Sequence, residues 1–208
     1  YLNFKPKESV DAVLEDAAEM GLKVVRTWGN LDAGVKTDKV SDKGYTVFTD
    51  NVDGSGEKEG VYYQYFDADL GRPVVNEGED GLQKLDYALY KAEQEGIKLL
   101  ITFTNNWEAF GGMGQYVQWA KLAGENVSGH DDFYTNETIK GWYKDYIKTL
   151  LNHENVYTGV KYKDDPTIFS WELANEPRCE SDAGCEHNTN RNECLCEVYR
   201  RQPHAGCW

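Results

Sequence analysis

The first 178 residues of this 208-residue chain contain no cysteine. All five, Cys179, Cys185, Cys194, Cys196 and Cys207, fall at the C-terminal end. A fold stapled throughout by disulfides is thereby excluded, and an odd count leaves at least one thiol without an internal partner. Positive charge is also scarce: 22 Lys and Arg stand against 36 Asp and Glu, for a net charge of −14. Nucleic acid and anionic membrane surfaces require a positive face, so neither is an expected partner. No apolar run approaches the ~20 residues of a membrane span. No signal peptide is visible, and the start at Tyr1 without methionine leads us to expect that a leader has been removed. The four histidines, His130, His153, His187 and His204, show no metal-ligand spacing. Cys194 and Cys196 are too close for a usual zinc knuckle. Gly111-Gly112 reads as a turn in a loop, with no phosphate-cradling context. No nucleotide, metal or other cofactor is expected.

The length suits one domain, and 14 Tyr, 7 Phe and 6 Trp fit a chain with a sizeable core. Apolar periodicity predicts a helix over 9–20, capped by Ser9, with Val10, Val13, Leu14, Ala17 and Met20 on one stripe and Gly21 ending it. Leu22–Trp28 reads as a strand with Arg26 on one face and Thr27 on the other. Residues 29–78 form a long Gly- and Asp-rich connection, of the length that usually marks a functional loop. Its tyrosines and Phe66 are expected mostly to pack beneath it. A helix over 80–95, a strand over Ile97–Phe103, a short helix from Gln115 to Leu122, a helix over 136–152 and a strand over Thr167–Leu173 follow. Trp119 and Trp142 lie in helical stripes and read as core residues.

The last of these strands runs into Asn175-Glu176-Pro177-Arg178. Proline cannot continue strand pairing, so a carboxyl group is pushed out of the sheet end. Glu176 is the candidate general acid/base, with Asn175 a hydrogen-bonding neighbour. Alternating strands and helices indicate an α/β fold with a parallel sheet. Three successive β/α units with long loops after the strands predict part of a (β/α)₈ TIM barrel, whose active site lies at the C-terminal strand ends. Arg26, Trp28, Asn105, Trp107, Asn175 and Glu176 all fall at or near such ends.

Five ordered segments carry a resemblance to the endo-β-1,4-mannanases of glycoside hydrolase family 5, over roughly residues 1–179. They are Gly21-Leu-Lys-Val-Val-Arg-Thr-Trp28, Ile101-Thr-Phe-Thr-Asn-Asn-Trp107 with Phe110-Gly-Gly112, Asp131-Asp-Phe-Tyr-Thr135, Tyr162-Lys-Asp-Asp-Pro-Thr167, and Trp171-Glu-Leu-Ala-Asn-Glu-Pro-Arg178. The resemblance implies barrel strands two to four and a retaining hydrolysis of mannan, glucomannan or galactomannan. It implies Glu176 as acid/base, with its pKa raised by burial and a neighbouring carboxylate. It implies Arg26 as the arginine that orients the nucleophile, and Asn175 as the ligand of a sugar 2-hydroxyl. The plain reading of Arg26 is a buried partner for Glu172. Trp28 and Trp107 resemble aromatic platforms for pyranose faces, against the alternative of core residues. Asn105, Asn106 and Arg178 complete the expected substrate-binding set, Arg178 being almost equally a surface residue. Many of these mannanases pair the cysteine after the motif locally, which implies Cys179–Cys185.

The family's nucleophile is a glutamate on the seventh strand. No other glutamate in this chain carries the matching motif, so none is assigned, and the chain alone is expected to hydrolyse little. Residues 1–179 are expected to form a partial barrel domain, and 180–208 a Cys-rich tail departing from the family. The second class of function is a catalytically inactive mannan-binding protein; the third is another activity of the family, such as an endo-β-1,4-glucanase. The sequons at Asn126 and Asn136 give mild support for secretion.

Overall fold

The computed structural model describes residues 1–181. Helix α1 (Lys7–Glu19) precedes strand β1 (Val24–Trp28). A second set of strands follows: β2 (Asp32–Val40), β3 (Thr46–Thr49), β4 (Gln64–Asp67) and β5 (Arg72–Val75). Helix α2 (Gln83–Gln94) leads to β6 (Lys98–Thr102). Helices α3 (Gly112–Leu122), α4 (Asp132–Thr135) and α5 (Glu137–Asn152) lead to β7 (Ile168–Glu172).

Strands β1, β6 and β7 form one parallel sheet in that order. Val24 pairs with Lys98 and Trp28 with Thr102 across the first pair; Thr102 pairs with Glu172 across the second. Parallel neighbours require crossovers, and α2 and α5 lie in those crossovers. The architecture is therefore a partial (β/α) barrel, as the sequence predicts.

The core lies between sheet and helices. Leu99, Ile101 and Phe103 are fully buried and meet Leu82, Leu85, Leu89 and Ala92 of the α2 region within one apolar cluster. Ile139, Tyr143, Tyr146, Ile147 and Leu150 bury the predicted stripe of α5. Asn136 caps that helix by accepting from the Ile139 N–H. Trp119 is buried and Trp142 is half-buried against the same core.

Three local expectations change. Ser9 does not cap α1, because the helix begins at Lys7 after Pro6, whose fixed φ suits a helix start. Met20 lies past the helix end and is exposed, off the buried stripe. The stretch 29–78 is not loop: it builds a four-stranded sheet in the order β3-β2-β4-β5. Glycines with positive φ, Gly44 and Gly71, sit in the turns joining its antiparallel pairs. Tyr62, Tyr63 and Phe66 pack inward from it, as expected of most aromatics there.

Candidate active site

Pairing between the two segments beyond β6 and β7 continues as a single bridge, Asn105 to Asn175. The Asn175 N–H donates to the Thr104 carbonyl, and the Asn106 N–H donates to the Asn175 carbonyl. The sheet then ends at once. Glu176 takes φ +47°, a left-handed conformation uncommon for a residue with a side chain. Pro177 follows with no N–H to offer. The Glu176 side chain stands exposed at the C-terminal rim of the sheet. Its Oε2 accepts a 2.8 Å hydrogen bond from Trp107 Nε1. The burial expected around this carboxyl is not supplied by the described residues.

Arg26 reaches along the same rim. Its Nε and Nη2 donate to Glu172 Oε2 at 2.8 and 2.6 Å, and Nη2 also donates to Asn175 Oδ1 at 2.8 Å. The reading of Arg26 as a buried partner for Glu172 is half right. The ion pair forms, but the Arg26 side chain is 43% exposed. In that solvated setting the pair fixes geometry more than it adds stability. Asn175 passes the connection on, donating from Nδ2 to Asn105 Oδ1 at 2.9 Å.

Asn105 and Asn106 do not line open space, contrary to the expectation that they contact substrate. They are 2% and 7% exposed. Asn105 Oδ1 also accepts from the Trp107 N–H, while its Nδ2 donates to the Ala109 carbonyl. Asn106 Oδ1 accepts from the Arg178 N–H at 2.9 Å. The Asn105 amide and the Asn106 amide oxygen are occupied in holding two loops together. Trp107 is 48% exposed, and the Arg178 guanidinium lies 5.3 Å from its ring centroid. Trp28 is half-buried, 5.5 Å from the Phe110 ring and 5.5 Å from the Arg26 guanidinium.

Asp32, unflagged by any motif, is the anchor behind this rim. It is buried and accepts from Asn30 Nδ2 (3.1 Å), Gln64 Nε2 (2.8 Å) and the Gly112 N–H (3.1 Å). Burial pushes its pKa up to about 7, against the pull of those three donors. It thereby ties the loop after β6 to the second sheet. Gly111 and Gly112 have positive φ, and a Cβ on them would meet the Asp32 carbonyl oxygen at 2.4 Å and the Asn105 carbonyl oxygen at 2.3 Å. The glycine pair was legible as a turn, but not its role of letting the loop press against Asp32 and Asn105.

Among the described residues, no three His, Cys, Asp or Glu side chains group as metal ligands. No described helix is long and apolar enough to cross a membrane. Cys179 is disulfide-bonded. The expected Cys179–Cys185 pairing involves Cys185, which lies outside the described residues, as do His187, Cys194, Cys196, His204 and Cys207.

A parallel β/α sheet carrying a carboxylate, an arginine and two tryptophans at its C-terminal rim defines the class: part of a (β/α) barrel with its polar and aromatic groups at the strand ends. The chain belongs to glycoside hydrolase family 5, matching its β-mannosidase-like members over residues 72–194. Mannan endo-1,4-beta-mannosidase 7 of Arabidopsis thaliana is 39% identical over 176 residues, 85% of this chain and 33% of the relative. Mannan endo-1,4-beta-mannosidase 3 of the same plant is 41% identical over 170 residues, 82% of this chain and 33% of the relative. The crystal structure of an endo-1,4-beta-mannanase from Rhizomucor miehei superposes with a TM-score of 0.76 at 37% identity, covering 95% of this chain and 50% of that one. The endo-beta-1,4-mannanase of Thermotoga petrophila gives 0.70 at 35% identity, over 97% and 38%. The chain thus spans about a third of the length of the two plant relatives.

Proposed function

We propose that this chain supplies the acid/base side of a retaining endo-β-1,4-mannosidase that cleaves mannan, glucomannan or galactomannan outside the cell. The observation that carries the reading is Glu176, projected from the sheet end into solvent and held by the Trp107 indole. In a retaining mechanism such a carboxyl protonates the leaving oxygen, then takes a proton from the incoming water. Arg26 and Asn175, joined at 2.8 Å, form a polar floor beside it. Asn175 is placed to meet a sugar hydroxyl, and Trp28 and Trp107 offer ring surface to pyranose C–H faces. Asn105 and Asn106 act behind this surface, and Arg178 at its edge.

The second reading is mannan binding without turnover, and one observation favours it. Glu172, the carboxylate paired with Arg26, lies within strand β7, and no glutamate of this chain carries the family's nucleophile motif. Reducing-sugar release and mannohexaose binding, measured together on a barrel completed with the nucleophile-bearing half, decide between them. Release from mannan well above that from a β-1,4-glucan supports the hydrolase. Binding without release supports the second reading. Absence of both refutes the mannan assignment.

A further inference from the structure

We infer that Trp107 is a positioning residue for the Glu176 carboxyl, fixing which of its two oxygens exchanges a proton with substrate. The inference rests on the reading of Glu176 as the acid/base. An indole N–H donates and never accepts. Trp107 Nε1 lies 2.8 Å from Glu176 Oε2, so Oε2 is held as an acceptor. The exchangeable proton is then confined to Oε1. In the acid step the Oε1–H bond breaks as the leaving oxygen gains the proton. In the base step a water O–H bond breaks and Oε1 regains it.

Trp107 is itself held at two further points, its backbone and its ring. Its backbone N–H donates to Asn105 Oδ1 at 3.2 Å. The Arg178 guanidinium lies over its ring at 5.3 Å. Arg178 is in turn held at its own N–H by Asn106 Oδ1. The two buried asparagines thus set the positions of both residues flanking the carboxyl. One consequence concerns substrate: Arg178 occupies one indole face, so a pyranose ring stacks on the other. Trp107 therefore couples sugar contact to the protonation geometry of Glu176, which a free platform would not do.

The test is a pH titration of the Trp107 indole N–H resonance in the ¹⁵N-labelled chain, assigned by its loss in Trp107→Phe. A donor on a carboxylate makes a shorter, stronger bond than one on a neutral carboxyl. The resonance is expected to move downfield in one sigmoidal step as pH rises, and to stay flat in Glu176→Gln. Arg178→Ala is expected to shrink the amplitude, because an unbraced indole spends less time on the carboxylate. A flat Trp107 signal in the wild-type chain, or an unchanged step in Glu176→Gln, overturns the inference. The titration needs no turnover, so its failure is separable from failure of the acid/base reading. In a complete barrel carrying this segment, Trp107→Phe is expected to lower kcat about 10-fold with little change in KM, the scale of one lost hydrogen bond. A rise in KM with kcat intact would make Trp107 a platform only.

Discussion

Among the described residues Asp32 accepts from three N–H donors and forms no ion pair, so its charge is held there by dipoles. Its pKa rises from 3.8 to about 7, because burial disfavours the anion more than the donors favour it. Between those two values the folded state binds more protons than the unfolded one. Stability contributed by the neutral carboxyl is therefore present at the acidic end and lost as pH rises from about 4 to about 7. The full swing is on the order of 4 kcal/mol. Urea midpoints measured across that range are expected to fall with rising pH. Asp32→Asn is expected to flatten the trend and to lower stability at the acidic end, where its amide N–H groups meet donors instead of acceptors. A trend in Asp32→Asn as steep as in the wild type would show that another group drives it.

At the scale of elements, the two crossover helices are clamped together by a buried polar cluster. Asp86 on α2 accepts from Tyr162 OH at 2.6 Å and faces His153 Nε2, just past α5, at 3.0 Å. His153 Nδ1 meets Glu77 at 2.9 Å. Burial opposes charge on this imidazole, but the hydrogen bonds and charges of Asp86 and Glu77 outweigh it and raise the pKa above 6.5. The clamp's contribution is therefore complete below about pH 6.5 and lost as pH rises through the raised value. Removing one partner leaves the other buried and unpaired, so Asp86→Ala is expected to cost about 3–5 kcal/mol at mildly acidic pH. Thermal and denaturant unfolding check this; a loss under about 1 kcal/mol, the scale of an exposed pair, would contradict the clamp. The stripes Leu82, Leu85, Leu89 and Ala92, and Ile139 to Leu150, were readable because apolar spacing alone specifies a helix face. The second sheet was not. Three of its strands are only four residues long, β2 carries register shifts toward both neighbours, and its anchors are polar: Asp32 and Gln64 are buried by partners distant in sequence. A Gly- and Asp-rich composition gives no sign of which acid is buried. The same limit applies to Asn105 and Asn106, whose motif marked the place but gave no sign of their burial.

At the scale of the molecule, three parallel strands deliver their C-terminal ends to one rim, and a chain of contacts runs along it. Glu172, Arg26, Asn175, Asn105, Trp107 and Glu176 are linked in that order by hydrogen bonds and backbone pairing. The strand-end motifs made this rim legible, because a parallel β/α sheet always gathers its loops on one side. Order along the rim was not legible, since it depends on register between β1, β6 and β7. A net charge of −14 disfavours a polyanion on this rim. The most direct measurement is hydrolysis by Glu176→Gln in a barrel completed with the remaining half of the Rhizomucor miehei endo-mannanase. Mannan and an aryl mannoside whose leaving group needs no proton serve as the two substrates. The variant is expected to lose about 10²–10⁴-fold on mannan and to retain far more of its glycosyl-transfer step on the aryl substrate. Mannan hydrolysis near the parent rate would contradict the assignment of Glu176 as the proton donor.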